Sequence, residues 1–220
     1  MTRVIVIIVF CITGIGLFYY SFSKPKEEVL PIYNPIDIDP EAVDPELLRM
    51  GRGHTIGEFS FINQNSETIT NKDVEGKVYV VEYFFTTCGT ICPIMNKQMQ
   101  RVQSALSKEK DFRILSFTVD PEVDDVKQMK HYADIHKVDH SQWWFLTGKK
   151  EKLYELARKS FFVLKKAEVP QLGDAGSDFI HTNNFVLIDR KMRIRGYYDG
   201  TNVDEVDKLI KDVNLLLNEN

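Results

Sequence analysis

Apolar residues in this chain come in short unbroken runs separated by stretches of helical spacing. Residues 78–85, VYVVEYFF, are almost continuously β-branched and aromatic. Such a run predicts a strand buried on both faces, as in a sheet covered by helices. A second run, FRILSFTVD at 112–120, and a third, WWFLTG at 143–148, have the same character. Between and after them the period lengthens. Ile94, Met95, Met99, Val102 and Leu106 predict a helix after the first strand. PEVDDVKQMKHYADIHKV opens with Pro121 and acids and ends basic, as a helix should. KEKLYELARKSF reads as a helix, and NVDEVDKLIKDVNLLLN as a closing amphipathic helix with Asn202 as N-cap. FSFINQNSETIT predicts a hairpin turning at 63–66; NFVLID and RIRGYYD predict two strands joined by a basic turn. Strands alternating with helices imply an α/β class of βαβ type with helices on both faces.

The first residues follow a different pattern. Residues 4–22 hold nineteen positions without a charge. At 1.5 Å per residue they reach about 28 Å, close to the thickness of a hydrocarbon core. Tyr19 and Tyr20 suit the interfacial aromatic belt. The expectation is an uncleaved signal anchor over 1–23, with the domain outside a bacterial inner membrane, facing the periplasm. Cleavage near Ser21-Phe22-Ser23 is the competing reading. Cys11 reads as one apolar residue of the membrane helix, since Phe10 is too large for a lipoprotein signal. Five of the eight prolines fall between Pro25 and Pro45. That composition predicts an extended, semi-rigid linker over 24–51, ahead of one domain over 52–220.

With 43% hydrophobic and 27% charged residues and a net charge of −4, the chain is an ordinary folded protein. It carries no basic stripe interleaved with aromatics, so nucleic acid is not an expected partner.

Two of the three cysteines, Cys88 and Cys92, stand where the first buried strand ends and a helix begins, in TTCGTICPIM. Strand ends facing helix starts are where open α/β sheets gather chemistry. Helix-start N–H groups favour thiolate over thiol, and a thiolate is what a nucleophile or a metal ligand must be. The pair therefore suits either a redox switch or a soft metal; a purely structural disulfide over so short a loop would stabilise little. His131 and His136 lie five apart on the helix predicted after Pro121, on different faces, and His140 and His54 read as surface or capping residues. His181, in GSDFIHTNNFVLID, precedes a buried strand. On a thioredoxin-like fold that loop meets the helix start, where an imidazole would complete a site of two sulfurs and one nitrogen suited to Cu(I). The alternative is a histidine that only hydrogen-bonds within its loop. A plain thioredoxin-like reductase would show Cys-x-x-Cys and a facing proline; here the spacer is Gly89-Thr90-Ile91 and the facing loop reads Ile180-His181-Thr182.

Four stretches, FFTTCGTICPIM, FTVDPEVDD, FLTG and IHTNNFVLID, in this order, resemble the SCO/SenC family of membrane-anchored, thioredoxin-like proteins. The resemblance covers about residues 52–217. It implies a copper metallochaperone that delivers copper to the copper-binding subunit of cytochrome c oxidase. It also implies Cys88, Cys92 and His181 as ligands of Cu(I), with Cu(II) left open, and Asp120 as a partner of the ligands or a cap of the following helix. A copper donor or a thiol reductant would then be a further partner. The other reading is a thiol-disulfide oxidoreductase, with Cys88 and Cys92 as its redox pair, that reduces cysteines of the oxidase subunit or another extracytoplasmic target. A third is a scaffold whose copper site senses redox state. The chain departs from the family at Gly89-Thr90, where a proline and an acid are usual. VDHS, with His140, locally resembles the family's histidine string, but the strand after His181 matches its order better.

Overall fold

The computed structural model describes residues 13–15, 18, 29–40, 43, 45–49, 51–163 and 183–219. The anchor expected over 4–22 lies almost wholly outside these residues. Of it, Thr13–Ile15 and Phe18 are helical, and among the described residues no helix is long and apolar enough to cross a membrane.

Seven strands form one mixed sheet: β1 (Ser60–Asn63), β2 (Thr68–Thr70), β3 (Val78–Phe84), β4 (Phe112–Thr118), β5 (Trp143–Thr147), β6 (Asn184–Ile188) and β7 (Ile194–Asp199). Their spatial order is β2-β1-β5-β4-β3-β6-β7. The three apolar runs, β3, β4 and β5, pair in parallel at the centre. The hairpins β1–β2 and β6–β7 flank them in antiparallel register. All seven residues of β3 are buried, which is why its apolar run shows no alternation.

The four longer helices are α1 (Cys92–Ala105), α2 (Val126–Ile135), α3 (Lys150–Lys159) and α4 (Val203–Asn218). Even-numbered β3 residues such as Val80 and Phe84 join one core with Met95 and Met99 of α1, Tyr132 of α2 and Leu209 of α4. Odd-numbered residues such as Tyr79 and Val81 face a second core with Leu153 and Leu156 of α3. The period-2 alternation of strand side chains thus feeds two helical layers. Asn202 caps α4, its side chain accepting from Asp204 N at 2.9 Å and Glu205 N at 3.4 Å. Asn202→Ala is expected to lower stability by about 1 kcal/mol in urea unfolding, with unchanged m; no change would mean the cap is idle.

Two expectations change. Residues from Leu30 onward do not stand off as a linker but lie against the domain. Arg195 of β7 is only 2% exposed, and its guanidinium needs acceptors. Arg195 Nε donates to Pro31 O at 3.0 Å and Nη2 to Leu30 O at 2.9 Å, while Nη1 pairs with Asp189 and Glu219 at 2.9 Å each. Tyr33 N donates to Ile194 O at 2.9 Å beside it. These are mostly main-chain attachments, which no side-chain periodicity announces. Secondly, α2 begins at Val126 rather than Pro121. Its cap is Asp125, whose side chain accepts from Gln128 N at 2.7 Å, and not Asp120.

Candidate metal centre

β3 delivers the chain to the carboxyl edge of the parallel strands, and the loop 85–91 carries it into α1. Val119 N donates to Phe84 O at 2.9 Å, so β4 stays paired with β3 to this edge. Cys92 is the first residue of α1, with Pro93 following, where its missing N–H costs no helical bond. Cys88 lies ahead of the helix, its N–H donating to Phe85 O at 3.2 Å. The helix thus begins at the second cysteine. Both cysteines are free and buried, Cys88 8% and Cys92 5% exposed.

The two sulfurs differ in proton affinity. Burial pushes the Cys88 thiol up, but hydrogen bonds outweigh it: the Cys92 thiol, the backbone amides of Thr90 and Cys92 and the Thr90 hydroxyl stabilise its thiolate, bringing it down to about 7. Thr90 Oγ1 lies 3.6 Å from Cys88 Sγ. Cys92 moves the other way, to about 12, through burial and because its S–H is shared with Cys88. At neutral pH the arrangement is a half-ionised thiol beside a protonated one, the first a ready nucleophile or soft ligand. Gly89, where the family's usual proline is missing, is sterically unconstrained: a Cβ there would meet nothing within 4 Å.

Two buried carboxyl groups flank the site, and sequence reading named neither. Glu82 of β3 is 3% exposed. Ser116 Oγ donates to Glu82 Oε1 at 2.5 Å and accepts from Trp143 Nε1 at 2.7 Å. Burial raises the Glu82 carboxyl to about 7, against the lowering effect of Ser116. An acid inside an otherwise apolar run was the available signal. Asp124 is fully buried in the turn before α2. It accepts from Thr86 N, at 3.2 Å to each oxygen, from the Thr86 hydroxyl, and from Thr118 Oγ1 at 2.5 Å. Asp120, the acid singled out from the sequence, is half-buried. Its carbonyl accepts from Asp124 N at 2.8 Å and Val123 N at 3.1 Å, shaping the turn that carries Asp124.

His181 lies outside the described residues, so the structure brings together two of the three expected ligands. Among the described residues no group of three His, Cys, Asp or Glu side chains could hold a metal ion. The other histidines sit elsewhere. His140 precedes β5 at the opposite edge of the sheet, its ring between Gln64 Nε2 at 3.1 Å and Asp134 at 3.1 Å. His54 Nε2 bonds Ser160 O at 2.8 Å, and its ring packs on Phe162; His136 packs on Tyr132.

A mixed sheet with helices on both faces and a cysteine pair at a strand–helix junction defines a thioredoxin-like protein with a thiol-based site. The match to known proteins is more particular. The SCO1/SenC family model matches residues 49–218, and the chain belongs to that family. The SCO1 protein homolog of Bacillus subtilis (strain 168) is 35% identical over 164 residues, covering 73% of this chain and 81% of the relative. Among solved structures, BsSco, described as a member of the Sco family of cytochrome c oxidase assembly proteins with a disulfide switch, superposes with TM-score 0.64 at 32% identity, covering 76% of this chain and 95% of BsSco. Arabidopsis thaliana ScoI, solved with copper bound, superposes with TM-score 0.56 at 26% identity, covering 72% of this chain and 97% of that one.

Proposed function

We propose that this chain binds Cu(I) as cargo and passes it to the copper-binding subunit of a cytochrome c oxidase. The observation that carries the reading is the buried, unbonded Cys88–Cys92 pair, half ionised near neutral pH, on a fold shared with a copper-bound relative. Thiolates suit a soft ion content with few ligands. Cys88, half ionised near pH 7, gives up about half a proton on capture and Cys92 a whole one, so binding releases about one and a half protons at pH 7 and about one above pH 8. Delivery is then ligand exchange, with a target thiolate replacing one sulfur at a time.

His181 is the proposed third ligand. The pairs Val81↔Val186 and Val80↔Leu187 run β6 antiparallel to β3, so β6 starts at the edge where β3 hands over to the cysteine loop. His181 precedes Asn184, the first residue of β6, by three positions. Asp120 contributes from behind the ligands, through the turn that it shapes. An N-terminal membrane anchor would hold the domain in the periplasm, beside its target and a copper donor or thiol reductant. His181→Ala is expected to weaken Cu(I) binding at least tenfold, about 1.4 kcal/mol, in competition with a chelator under anaerobic conditions. An unchanged constant would remove His181 from the site.

The unequal thiols also favour a second reading, thiol–disulfide exchange. The Cys88 thiolate would attack a target disulfide, forming a mixed disulfide and expelling one target thiolate. Cys92, once deprotonated, would attack Cys88 Sγ and release the second. The target gains two electrons and the pair ends as a disulfide. Exchange that survives His181→Ala while copper binding is weak would favour this reading.

A further inference from the structure

In the loop that presents Cys88, a Cβ at Gly89 would meet nothing within 4 Å. The loop's attachment lies at Thr86. Both polar groups of that residue that can donate, the backbone N–H and the hydroxyl, go to one carboxylate, Asp124. The hydroxyl oxygen in turn accepts from Gln128 Nε2 of α2 at 3.0 Å. The remaining partner of Asp124 is Thr118 Oγ1 at the end of β4, at 2.5 Å. Among the described residues these partners are all neutral, so Asp124 forms no ion pair there. It is a fully buried carboxylate spent on tying three segments together: the cysteine loop, the end of β4 and the turn before α2.

We propose that Asp124 is a positioning residue for the cysteine pair, acting through Thr86 to hold Cys88 in its unbonded arrangement and against closure to the Cys88–Cys92 disulfide. A disulfide needs the two Cβ atoms within about 3.5–4.5 Å. Closing the unbonded thiol pair to an S–S bond of about 2.05 Å draws the loop and the helix start toward each other. Cys92 is fixed by the first turn of α1, so the loop is the part that moves, and Thr86 is its tether. Releasing the tether therefore favours the disulfide and loosens the copper site together. This inference rests on Cys88 and Cys92 being the working pair, whichever of the two functions they serve.

The test uses the full chain in detergent, with Asp124→Asn, Thr86→Val, the double variant and Thr118→Val. The primary measurement is the equilibrium of the dithiol with oxidised glutathione, in which the pair loses two electrons and two protons to give the disulfide and two glutathione thiols. Asp124→Asn and Thr86→Val are each expected to shift that equilibrium tenfold toward the disulfide, about 30 mV for a two-electron couple. The double variant should be no further shifted than the larger single one, because both act on one contact. Thr118→Val cuts the same carboxylate's bond to β4, and the 2.9 Å bond from Asp120 N to Thr118 Oγ1, without touching the cysteine loop, and should stay within threefold of wild type. Asp124→Asn within threefold of wild type, additive single effects, or an equal shift in Thr118→Val would each overturn the proposal. If Asp124→Asn does not fold, Thr86→Val decides alone: a shift under threefold overturns it. Cu(I) competition on the same samples separates the two readings. A wild type that exchanges with glutathione yet holds no copper defeats the copper function, while the glutathione shifts still decide the role of Asp124.

Discussion

Replacing Cys88 with serine is expected to weaken Cu(I) binding by about a thousandfold, or about 4 kcal/mol. Serine is close in size, so the loop keeps its shape, but its hydroxyl stays protonated near pH 7 where the Cys88 thiol is half ionised. It is also a hard oxygen donor facing a soft ion. The remaining sulfur, Cys92, is still held protonated by burial, the largest cause of its raised proton affinity. The variant thus loses a ready thiolate and keeps a reluctant one. Anaerobic chelator competition reads the constant, and near-ultraviolet circular dichroism checks that packing survives. A constant within threefold of wild type would mean that the pair is not the copper site.

Stability should fall as pH rises through the range set by Glu82. Its carboxyl titrates near 4.5 in an unfolded chain and about 7 when folded, with burial as the leading cause. Between these values the folded state holds a proton that the unfolded state has lost, so raising the pH favours unfolding. The contribution is fully present below about 4.5 and gone above about 7. At 1.36 kcal/mol per unit the span is about 3 kcal/mol. Glu82→Gln keeps the size, stays neutral and should abolish this slope. Urea unfolding at pH 5 and pH 8 gives the comparison: wild type should lose about 3 kcal/mol more than the variant. Equal slopes would place the Glu82 proton elsewhere. The charge of Glu82 also adds to the upward push on the Cys92 thiol, so pH and thiol chemistry meet there.

Much of the architecture was legible from local pattern. The runs at 78–85, 112–120 and 143–148 became the three parallel strands, and both hairpins and three of the four longer helices appear where spacing put them. The helix before His136 was misjudged at its start because Pro121 and a run of acids carry the same signal as a true N-terminus. The structure instead gives Asp125 the cap and turns Asp124 inward. Four acids within six residues are chemically alike, so only the turn decides which one is buried. The segment from Leu30 was misjudged for a related reason. Proline-rich, aperiodic chain reads as linker, whereas here main-chain carbonyls dock it onto a buried arginine 164 and 165 positions away.

By itself, the sequence determined the class of fold and the place of the cysteine pair at a strand–helix junction. Hydrophobic period reports burial directly, and two cysteines at a strand–helix junction have few uses. Tertiary structure alone decided the unequal ionisation of those cysteines, the carboxyl groups of Glu82 and Asp124 around them, and the docking of Leu30. Each depends on groups brought together from distant segments, and on a loss of water that no local pattern records.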